Sequence, residues 1–484
     1  MHAMTNTNIT DDLFSPIDRK NTKIVATIGP ATESEDKIAE LILAGMNIDR
    51  FNTKHNEPDW HRDVIRRVRK VAQEMKVPIG ILVDLQGPEI RIDLKQSPIE
   101  ITQNDHLHIT TAEYSTENND ILLPLNVIHG LSVGDHLITD EGACHFVIVS
   151  KNDDHLIAEA LESCSLKTRK TVNTPNVVIN MPSLTDRDEI FLDELKTEAP
   201  EFVGLSFVRD ERDIAHLRNV LSQKNIDADV IAKIENRKAV ENLESIISVS
   251  DAVMVARGDL AMEVDYEELI FWQKKIIELG RKYAKPVITA TQMLLSMTEK
   301  PMPTRAEISD IAHAVYDGTD AVMLSEETTI GKYPAKCVGV QAKIVAFYEP
   351  QITDDSNANT KQFVLSPLVY SIAEKMKASQ PEAEKIVVLG DSMNLVHQLS
   401  SFHFTVPILA LTSSLLLSQK LTLTYGVQPM YLPNTNLADF NVDQLIEVLK
   451  EQQKLSLGER VLVIYNPNGK PENAANQPLL REVI

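Results

Sequence analysis

Four charged residues at the ends of short apolar runs have the chemistry needed to handle a phosphorylated substrate. They are Arg50 in "RFNTKHN", Lys233 and Glu235 in "AKIEN", and Asp259 in "ARGDL". Carboxylates are hard oxygen ligands for Mg²⁺, and an arginine fork with a buried lysine neutralises charge on moving phosphate oxygens. Because side chains alternate along a strand, Lys233 and Glu235 share one face. The set predicts a divalent-metal site for phosphoryl transfer, the alternative being a structural ion pair.

Two further residues extend this candidate site. Gly258, directly before Asp259, permits close approach of the backbone to a ligand, and the helix after it would offer N–H groups to an anion. Thr291 in "ITATQM" supplies a hydroxyl group. The chain has neither a Walker A sequence nor a kinase glycine-rich loop, so a phosphate donor would be held in another way.

Short apolar runs alternate with helix-period segments between residues 22 and 350, and nearly every run ends in a polar residue. The runs are 23–29, 46–51, 78–84, 202–207, 230–235, 252–257, 286–291 and 321–326. Unbroken apolar runs are typical of strands buried on both faces. This pattern predicts an α/β fold, a (β/α)8 TIM barrel whose active site forms at the carboxyl ends of the strands. A doubly wound sheet is the alternative.

The remaining segments predict a tail and two more domains. Residues 93–178 alternate apolar and polar side chains between Gly, Asn and Asp, which is typical of a small β-rich domain. Inserted in a barrel loop, this domain would close over the site as a lid, and the barrel would comprise residues 22–92 and 179–350. We expect residues 1–21 to form a flexible N-terminal tail and residues 360–484 a C-terminal α/β domain that follows a polar linker.

Charge and composition restrict the partners and the compartment. The 484 residues include 48 Lys and Arg against 70 Asp and Glu, a net charge of −22, so we expect no nucleic-acid partner. No apolar stretch reaches the ~18 residues of a membrane span, and the start lacks a signal-peptide pattern, so we expect a cytoplasmic protein without membrane contact. Three scattered cysteines without a C-x-x-C motif fit a reduced compartment and do not fit a zinc site.

Several motifs taken together resemble the pyruvate kinase family. They are "TKIVATIGPAT", "LVDLQGPEIR", "AKIEN", "ARGDL", "ITATQMLLSM", "PTRAEISDIAHAVYDGTDAVMLSEET" and "GKYP", in the family's order over residues 22–350. The resemblance implies a barrel with an inserted small β-barrel lid and a C-terminal α/β domain. It also implies phosphoryl transfer from phosphoenolpyruvate to ADP, giving pyruvate and ATP in glycolysis, with Mg²⁺ or Mn²⁺ and in a homotetramer.

The resemblance also implies roles for individual residues. Three residues match catalytic positions of the family: Arg50, Lys233 and Thr291. The substrate-binding positions match Arg50, Lys233, Ala256, Gly258, Asp259, Thr291 and Ser325. The nucleotide-binding positions match Asn52, His55, Arg91 and Arg187. Glu235 and Asp259 match the Mg²⁺ ligands, and positions near a monovalent cation match Asn52, Asp84 and Leu85.

Departures from the family pattern leave two questions open. Lys54 replaces a serine that helps to hold K⁺, so its ammonium group, paired with Glu89, would supply the charge of the ion. Against this, family members with Glu at that position usually depend on K⁺, and the alternative is a solvent-facing Lys54. Gln86, Ala261 and Glu326 change the substrate pocket. The alternatives to an active pyruvate kinase are therefore a non-catalytic or regulatory paralogue and an enolate lyase on a related barrel.

Overall fold

The computed structural model of the chain describes residues 20–140, 142–177, 179–352, 363–379, 383–433, 437, 441–465 and 479–483. The predicted tail up to residue 19 lies outside the described residues. So do positions 353–362 of the predicted linker and residues 466–478 near the carboxyl terminus.

The elements follow one another as barrel, lid, barrel and C-terminal domain. The first barrel segment contains β1 Lys23–Thr27, α1 Glu35–Ala44, β2 Ile48–Asn52, α2 Pro58–Met75 and β3 Gly80–Asp84. The lid contains β4 Asp93–Leu94, β5 Ile99–Ile101, β6 His106–Thr110, β7 Ile121–Leu122, α3 Leu125–Gly130, β8 His136–Thr139, β9 Cys144–Lys151, β10 His155–Ala160, β11 Cys164–Leu166 and β12 Val172–Asn173. The second barrel segment contains α4 Asp186–Leu195, β13 Phe202–Leu205, α5 Glu211–Gln223, β14 Asp229–Ile234, α6 Arg237–Glu241, α7 Leu243–Val249, β15 Ala252–Ala256, α8 Arg257–Leu260, α9 Leu269–Lys282, β16 Val287–Ala290, α10 Arg305–Asp317, β17 Ala321–Leu324, α11 Glu326–Thr329 and α12 Pro334–Tyr348. The C-terminal domain contains α13 Pro367–Ser379, β18 Lys385–Leu389, α14 Met393–Ser400, β19 Ile408–Thr412, α15 Leu415–Lys420, β20 Val427–Tyr431, α16 Val442–Glu451, β21 Arg460–Tyr465 and β22 Leu479–Glu482.

The barrel domain is built around a closed barrel of eight parallel strands. Their order is β1-β17-β16-β15-β14-β13-β3-β2. Each of the eight predicted apolar runs supplies one strand, so the predicted TIM barrel is confirmed. The strands are buried on both faces because helices cover the outside and apolar side chains such as Ile48, Leu82 and Phe202 fill the inside. In the register, Arg50 on β2 lies beside Thr27 on β1 and Leu82 on β3.

The inserted segment forms a β domain with its own core, as predicted. Its main sheet has the order β12-β8-β9-β10-β6-β7-β4, and β11 pairs with β5 in a second, two-stranded sheet. The apolar core of this lid includes Ile109, Leu137, Phe146 and Leu156. Alternation of buried and less buried side chains along β10 gives the period-two pattern that the sequence shows.

The lid also contains a covalent bond that the sequence did not lead us to expect. A disulfide joins Cys144 on β9 to Cys164 on β11, whose Cα atoms are 5.6 Å apart. The cysteine pattern was interpreted as fitting a reduced compartment, and this disulfide does not agree with that interpretation. The two residues are 20 positions apart, and only the folding of the lid strands brings them together. Cys337 remains a free, buried thiol.

The C-terminal domain is an α/β unit, as predicted, with a sheet in the order β20-β19-β18-β21-β22. It packs against the amino-terminal end of the barrel. Leu423 belongs to the apolar cluster that fills the barrel interior, together with Leu82 and Phe202. A Cβ atom at Gly80 would lie 2.6 Å from Thr422 Oγ1, so glycine at the start of β3 permits this close approach.

Charged contacts reinforce the same interface between the barrel and the C-terminal domain. Lys420 Nζ donates to Asp229 Oδ1 at 2.8 Å and to Asp227 Oδ1 at 2.9 Å. The Lys420 side chain is buried, and the two carboxylates compensate its charge. No helix in the described part of the chain combines the length and the apolar character needed to span a bilayer.

Candidate active site

The carboxyl ends of β2, β3 and β14 carry a buried group of opposite charges. Arg50 Nε and Nη2 donate to Asp84 Oδ2 at 2.9 and 2.6 Å, and Arg50 Nη1 donates to Thr27 Oγ1 at 2.9 Å. Lys233 Nζ lies 3.2 Å from Asp84 Oδ1. All three charged side chains are buried, and a buried charge is costly unless it is paired. Asp84 therefore anchors both cations.

Lys233 is surrounded by groups that keep it protonated. Its Nζ atom lies 2.8 Å from Glu235 Oε1 and donates to Ser206 Oγ at 2.7 Å. Burial alone would lower the pKa of Lys233, but the carboxylates of Asp84 and Glu235 outweigh this effect and hold the pKa above its ordinary value. Burial likewise favours a raised pKa for Asp84, and the charges of Lys233 and Arg50 hold it below the ordinary value instead. Lys233 is thus a fixed positive charge at the barrel mouth.

Glu235 and Asp259 follow the neighbouring strands β14 and β15 and fit a divalent cation. Burial raises the pKa of Glu235; the Lys233 charge opposes this shift, and the carboxylate of Asp259 adds to it. A divalent cation would relieve this repulsion, and two carboxylates are the donor set that Mg²⁺ completes with waters and substrate oxygens. Across the described ranges no group of three or more His, Cys, Asp or Glu side chains is arranged to hold a metal ion. That Glu235 and Asp259 are the protein ligands of such a site stays a prediction.

The segment that follows β16 is held against α8. Thr291 Oγ1 accepts a hydrogen bond from Gly258 N at 2.9 Å and donates to Ala290 O at 2.6 Å. Thr291 and Gln292 both adopt left-handed backbone conformations, with φ of 72° and 55°, which are uncommon for residues other than glycine. A Cβ atom at Gly258 would make only ordinary contacts, the nearest at 3.6 Å to Thr291. That glycine leaves room for a ligand stays a prediction.

Arg257, which we did not assign from the sequence, fixes this segment. Its buried guanidinium donates to the carbonyl oxygens of Ala290 and Thr291 at 3.0 and 2.7 Å, and to Asp310 Oδ1 at 2.6 Å. Arg257 stands directly before Gly258 in "ARGDL", so its position was a signal. The position of Arg257 in the sequence does not show that its guanidinium donates to backbone carbonyl oxygens after β16.

Glu327 is a second positioning residue that sequence reasoning missed. Ser325, which follows β17, donates its backbone N–H to Glu327 Oε2 at 2.7 Å, and Leu294 N donates to Glu327 Oε1 at 3.0 Å. This buried carboxylate therefore joins the loops after β16 and β17. Two residues named from the sequence differ in exposure. Glu326, next to Glu327, is exposed. The substrate-binding candidate Ala256, at the end of β15, is buried.

Lys54 lies between the barrel mouth and the base of the lid, paired with Glu89. The Lys54 Nζ atom is 3.2 Å from Glu89 Oε1 and 5.8 Å from the centroid of the Phe207 ring. Glu89 also accepts hydrogen bonds from Thr171 Oγ1 at 2.9 Å and from Arg91 Nη2 at 2.7 Å. The Lys54 side chain is only 20% exposed, so it is not a freely solvated surface lysine.

The residues around the predicted monovalent-cation position present several oxygen atoms. Asn52 Oδ1 accepts from Lys54 N at 3.1 Å, and Leu85 O accepts a hydrogen bond from Ser206 Oγ at 2.7 Å. Asp84 Oδ1 is buried and makes no hydrogen bond beyond its ion pair. Neutral and anionic oxygens of this kind fit the chemistry of a hard monovalent ion.

The nucleotide-binding candidates occupy different surroundings near the lid base. His55 is exposed in the loop after β2; partial burial of its ring and the charge of Lys54 lower its pKa. Arg91 is exposed and paired with Glu89. Arg187 donates to two carbonyl oxygens of the loop after β2, at 3.2 and 2.6 Å, and so supports that loop. Gln86, one of the altered pocket positions, is tied to α4 through its backbone N–H.

The lidded barrel and the charges at its mouth define a barrel phosphotransferase. A fixed lysine and arginine beside two carboxylates that could hold a divalent cation are the groups that phosphoryl transfer requires. Residues 19–338 match the family model for the barrel domain of pyruvate kinase, and residues 369–476 match the model for its alpha/beta domain. The chain belongs to the pyruvate kinase family.

Individual relatives agree with this assignment. The pyruvate kinase of Bacillus licheniformis is 36% identical over 460 residues, covering 93% of this chain and 78% of the relative. Pyruvate kinase 2 of Synechocystis sp. is 34% identical over 455 residues, covering 93% and 77%. The crystal structure of a pyruvate kinase from Cryptosporidium parvum covers 100% of both chains, with a TM-score of 0.90 and 27% identity.

Proposed function

We propose that this protein transfers the phosphoryl group of phosphoenolpyruvate to ADP, giving pyruvate and ATP in cytoplasmic glycolysis. The observation that carries the proposal is the buried Lys233, held protonated between Asp84 and Glu235 beside Arg50. Phosphoryl transfer depends mainly on positioned charges that neutralise the moving oxygens. By resemblance the protein assembles as a homotetramer. Exposed apolar side chains on α9, such as Phe271, support this, and a monomeric mass by light scattering would refute it.

In this proposal each group has a chemical task. Glu235 and Asp259 hold Mg²⁺ or Mn²⁺, which supplies positive charge to the phosphoryl oxygens when bound. Arg50 binds the phosphate, and Lys233 steadies the phosphoryl group during transfer. Thr291 lies beside the substrate methylene and carboxylate and takes part in protonation of the enolate. The backbone around Gly258, with Ala256 and Ser325, lines the carboxylate site.

In this proposal the nucleotide and the monovalent cation bind on the side of the barrel mouth that faces the lid. Asn52, His55, Arg91 and Arg187 are the nucleotide-binding residues of the proposal. For the monovalent charge there are two candidates: K⁺ held by Asn52, Asp84 and Leu85, or the ammonium group of Lys54. The ion pair of Lys54 with Glu89, near the Phe207 ring, favours the second.

The test of the proposed function is pyruvate formation from phosphoenolpyruvate and ADP with Mg²⁺, in K⁺-free buffer and again with K⁺. Activity in both buffers would support the enzyme and the Lys54 cation together. Activity only with K⁺ would support the enzyme and refute the Lys54 cation. Folded protein without activity in either buffer would favour a non-catalytic paralogue, and pyruvate-type chemistry without ADP would favour a lyase.

Replacing Lys54 by Ser is expected to create K⁺ dependence. The substitution removes the built-in ammonium group and leaves the site one positive charge short. Activity of Lys54→Ser in K⁺-free buffer should fall at least about tenfold, and added K⁺ should restore most of it. The control is Lys76→Ser. Lys76 follows the last residue of α2, has a left-handed backbone conformation and lies away from the barrel mouth. An unchanged K⁺ response in Lys54→Ser would contradict the interpretation.

Fructose 1,6-bisphosphate is not expected to activate the protein through the segment 389–398. In the family a Ser/Thr-rich loop with Gly and Arg often binds this effector, whereas here the segment reads "LGDSMNLVHQ" and contains no Arg. Its Ser392 caps α14, with Oγ accepting from Leu395 N at 3.4 Å. A phosphoenolpyruvate saturation curve should therefore be the same with and without the sugar phosphate. A clear shift to lower substrate concentration would contradict the prediction.

A further inference from the structure

A cavity of about 220 Å³ lies between the base of the lid and the barrel, beside the candidate active site but separate from it. Of the described residues that line this cavity, none is one of Arg50, Lys233, Glu235, Asp259 or Thr291. One wall comes from the two chain segments that connect the lid to the barrel. The other wall comes from the segments after β13 and β14, including α6, and from Glu263 after α8. The cavity therefore spans the joint on which the lid would move.

The barrel wall of this cavity is lined by charged side chains. It carries Arg209, Arg237 and Lys238, opposed by the carboxylates of Glu241 and Glu263. Each cation also has a carboxylate partner, at Asp213, Glu268 or Glu241, so these ion pairs balance the charge of the wall. An anion would therefore be held by hydrogen-bond donors that these pairs leave unused, not by an excess of charge.

Arg237 has hydrogen-bonding capacity that the protein does not use. Its Nη1 atom donates to Glu268 Oε2 at 2.7 Å, but its Nε atom is buried and has no partner within the described structure. A buried donor without an acceptor is costly, and a bound anion would satisfy it. Arg209 is more fully engaged, donating to Asp213 at 3.0 Å and to Met181 O at 2.7 Å.

The lid wall is mainly apolar. Ile90, Val177, Ile179 and Met181 line the cavity there, and Phe207 faces them from the barrel. An apolar wall opposite an unused hydrogen-bond donor suits a ligand with an anionic head and an apolar body. Free inorganic phosphate would leave the apolar wall uncovered.

A hydrogen bond across the cavity already links its two walls. Asn173 Nδ2, at the end of the lid strand β12, donates to Glu263 Oε1 in the barrel at 3.0 Å. Burial raises the pKa of Glu263 to about 7, with a smaller contribution from Asp259, so this carboxyl opposes an anion less than an ordinary glutamate would. A ligand beside this bond would hold the lid base against the barrel.

The geometry points to this cavity as a binding site for a small organic anion, with one carboxylate or phosphate group on an apolar body, that bridges lid and barrel. The inference does not depend on the phosphotransfer reaction, because the site uses none of its residues. Occupation of the cavity would restrict movement of the lid base.

The test is equilibrium binding of benzoate and of phenyl phosphate to the full chain, by ligand-observed NMR. At least one probe should bind, and which one binds distinguishes a carboxylate from a phosphate ligand. Arg237→Gln should weaken that binding at least about tenfold, because it removes a charge-assisted hydrogen bond. Val177→Phe, which narrows the cavity from the lid side, should weaken it without changing charge. Arg212→Gln is the control: it removes an 84% exposed arginine outside the cavity and should leave binding unchanged.

Hydrogen exchange supplies an independent measure of the bridging role. Amides of residues 172–177 should exchange more slowly when the probe is bound, and this slowing should be lost in Val177→Phe. The inference is overturned if neither probe binds the wild-type chain, or if all three variants bind equally. Slowed exchange that persists in both cavity variants would also overturn it. Because none of these readouts uses catalysis, an inactive protein that passes them would refute only the proposed function.

Discussion

Replacing Lys233 by Met is expected to abolish nearly all phosphoryl transfer, with kcat reduced about a thousandfold or more. The fixed ammonium group would be gone, and the buried carboxylates of Asp84 and Glu235 would face each other without it. The same loss should lower the free energy of unfolding by about 3 to 5 kcal/mol, since breaking a buried ion pair leaves uncompensated charge. The measurements are pyruvate formation at saturating substrate and thermal unfolding of the same samples.

Two controls separate the chemical role of Lys233 from its structural role. Lys70→Met removes a lysine that pairs with Glu35 and is 55% exposed, so it should change neither activity nor stability measurably. Lys233→Arg keeps the charge but not the geometry, so stability should recover more than activity. A Lys233→Met protein that keeps more than about a tenth of wild-type kcat would contradict the role given to Lys233.

Replacing Glu235 by Gln should produce the second large effect, through the metal. The amide keeps an acceptor for Phe207 N but removes one of the two carboxylate charges of the proposed Mg²⁺ site. We expect Mn²⁺ affinity to fall by at least about tenfold and kcat/KM by about a hundredfold or more. Mn²⁺ binding measured by electron paramagnetic resonance separates loss of metal from loss of chemistry.

The matched control for Glu235 is Asp265→Asn, which neutralises an exposed carboxylate that is not a proposed metal ligand. It should leave both Mn²⁺ affinity and kcat/KM unchanged. If Glu235→Gln binds Mn²⁺ as tightly as the wild type, Glu235 is a structural partner of Lys233 and the metal assignment is wrong. In that case Asp259→Asn should also leave the affinity for Mn²⁺ unchanged.

The barrel was predictable because each of its strands is an unbroken apolar run in the sequence. Each apolar run is buried on both faces, so burial and sequence agree, and the polar residues that end the runs gather at one rim. Arg50, Lys233 and Glu235 were found in this way. Their mutual distances confirm that the strand ends converge, as parallel strands in a closed barrel must.

The residues that escaped prediction act through the backbone or through distant partners. Arg257 donates to carbonyl oxygens after β16, and Glu327 accepts from amides after two different strands. Most of these contacts join residues far apart in the chain, so no sequence motif predicts them. The bond between Cys144 and Cys164 depends on how the lid strands pack, which composition does not encode. That Asp84 binds a monovalent ion stays a prediction, and its two contacts with Arg50 show a further role, as an anchor for the cations.

The position of Leu423 has a consequence for how this chain can be divided. Because Leu423 shares the cluster that fills the barrel, the C-terminal domain contributes to the barrel's own interior. We therefore expect the boundary that the linker marks in the sequence not to be a boundary of cooperative unfolding. Cutting the chain there would leave Leu82 and Phe202 facing water at an open barrel end. We therefore expect the two units to unfold together, because the C-terminal domain closes one end of the barrel.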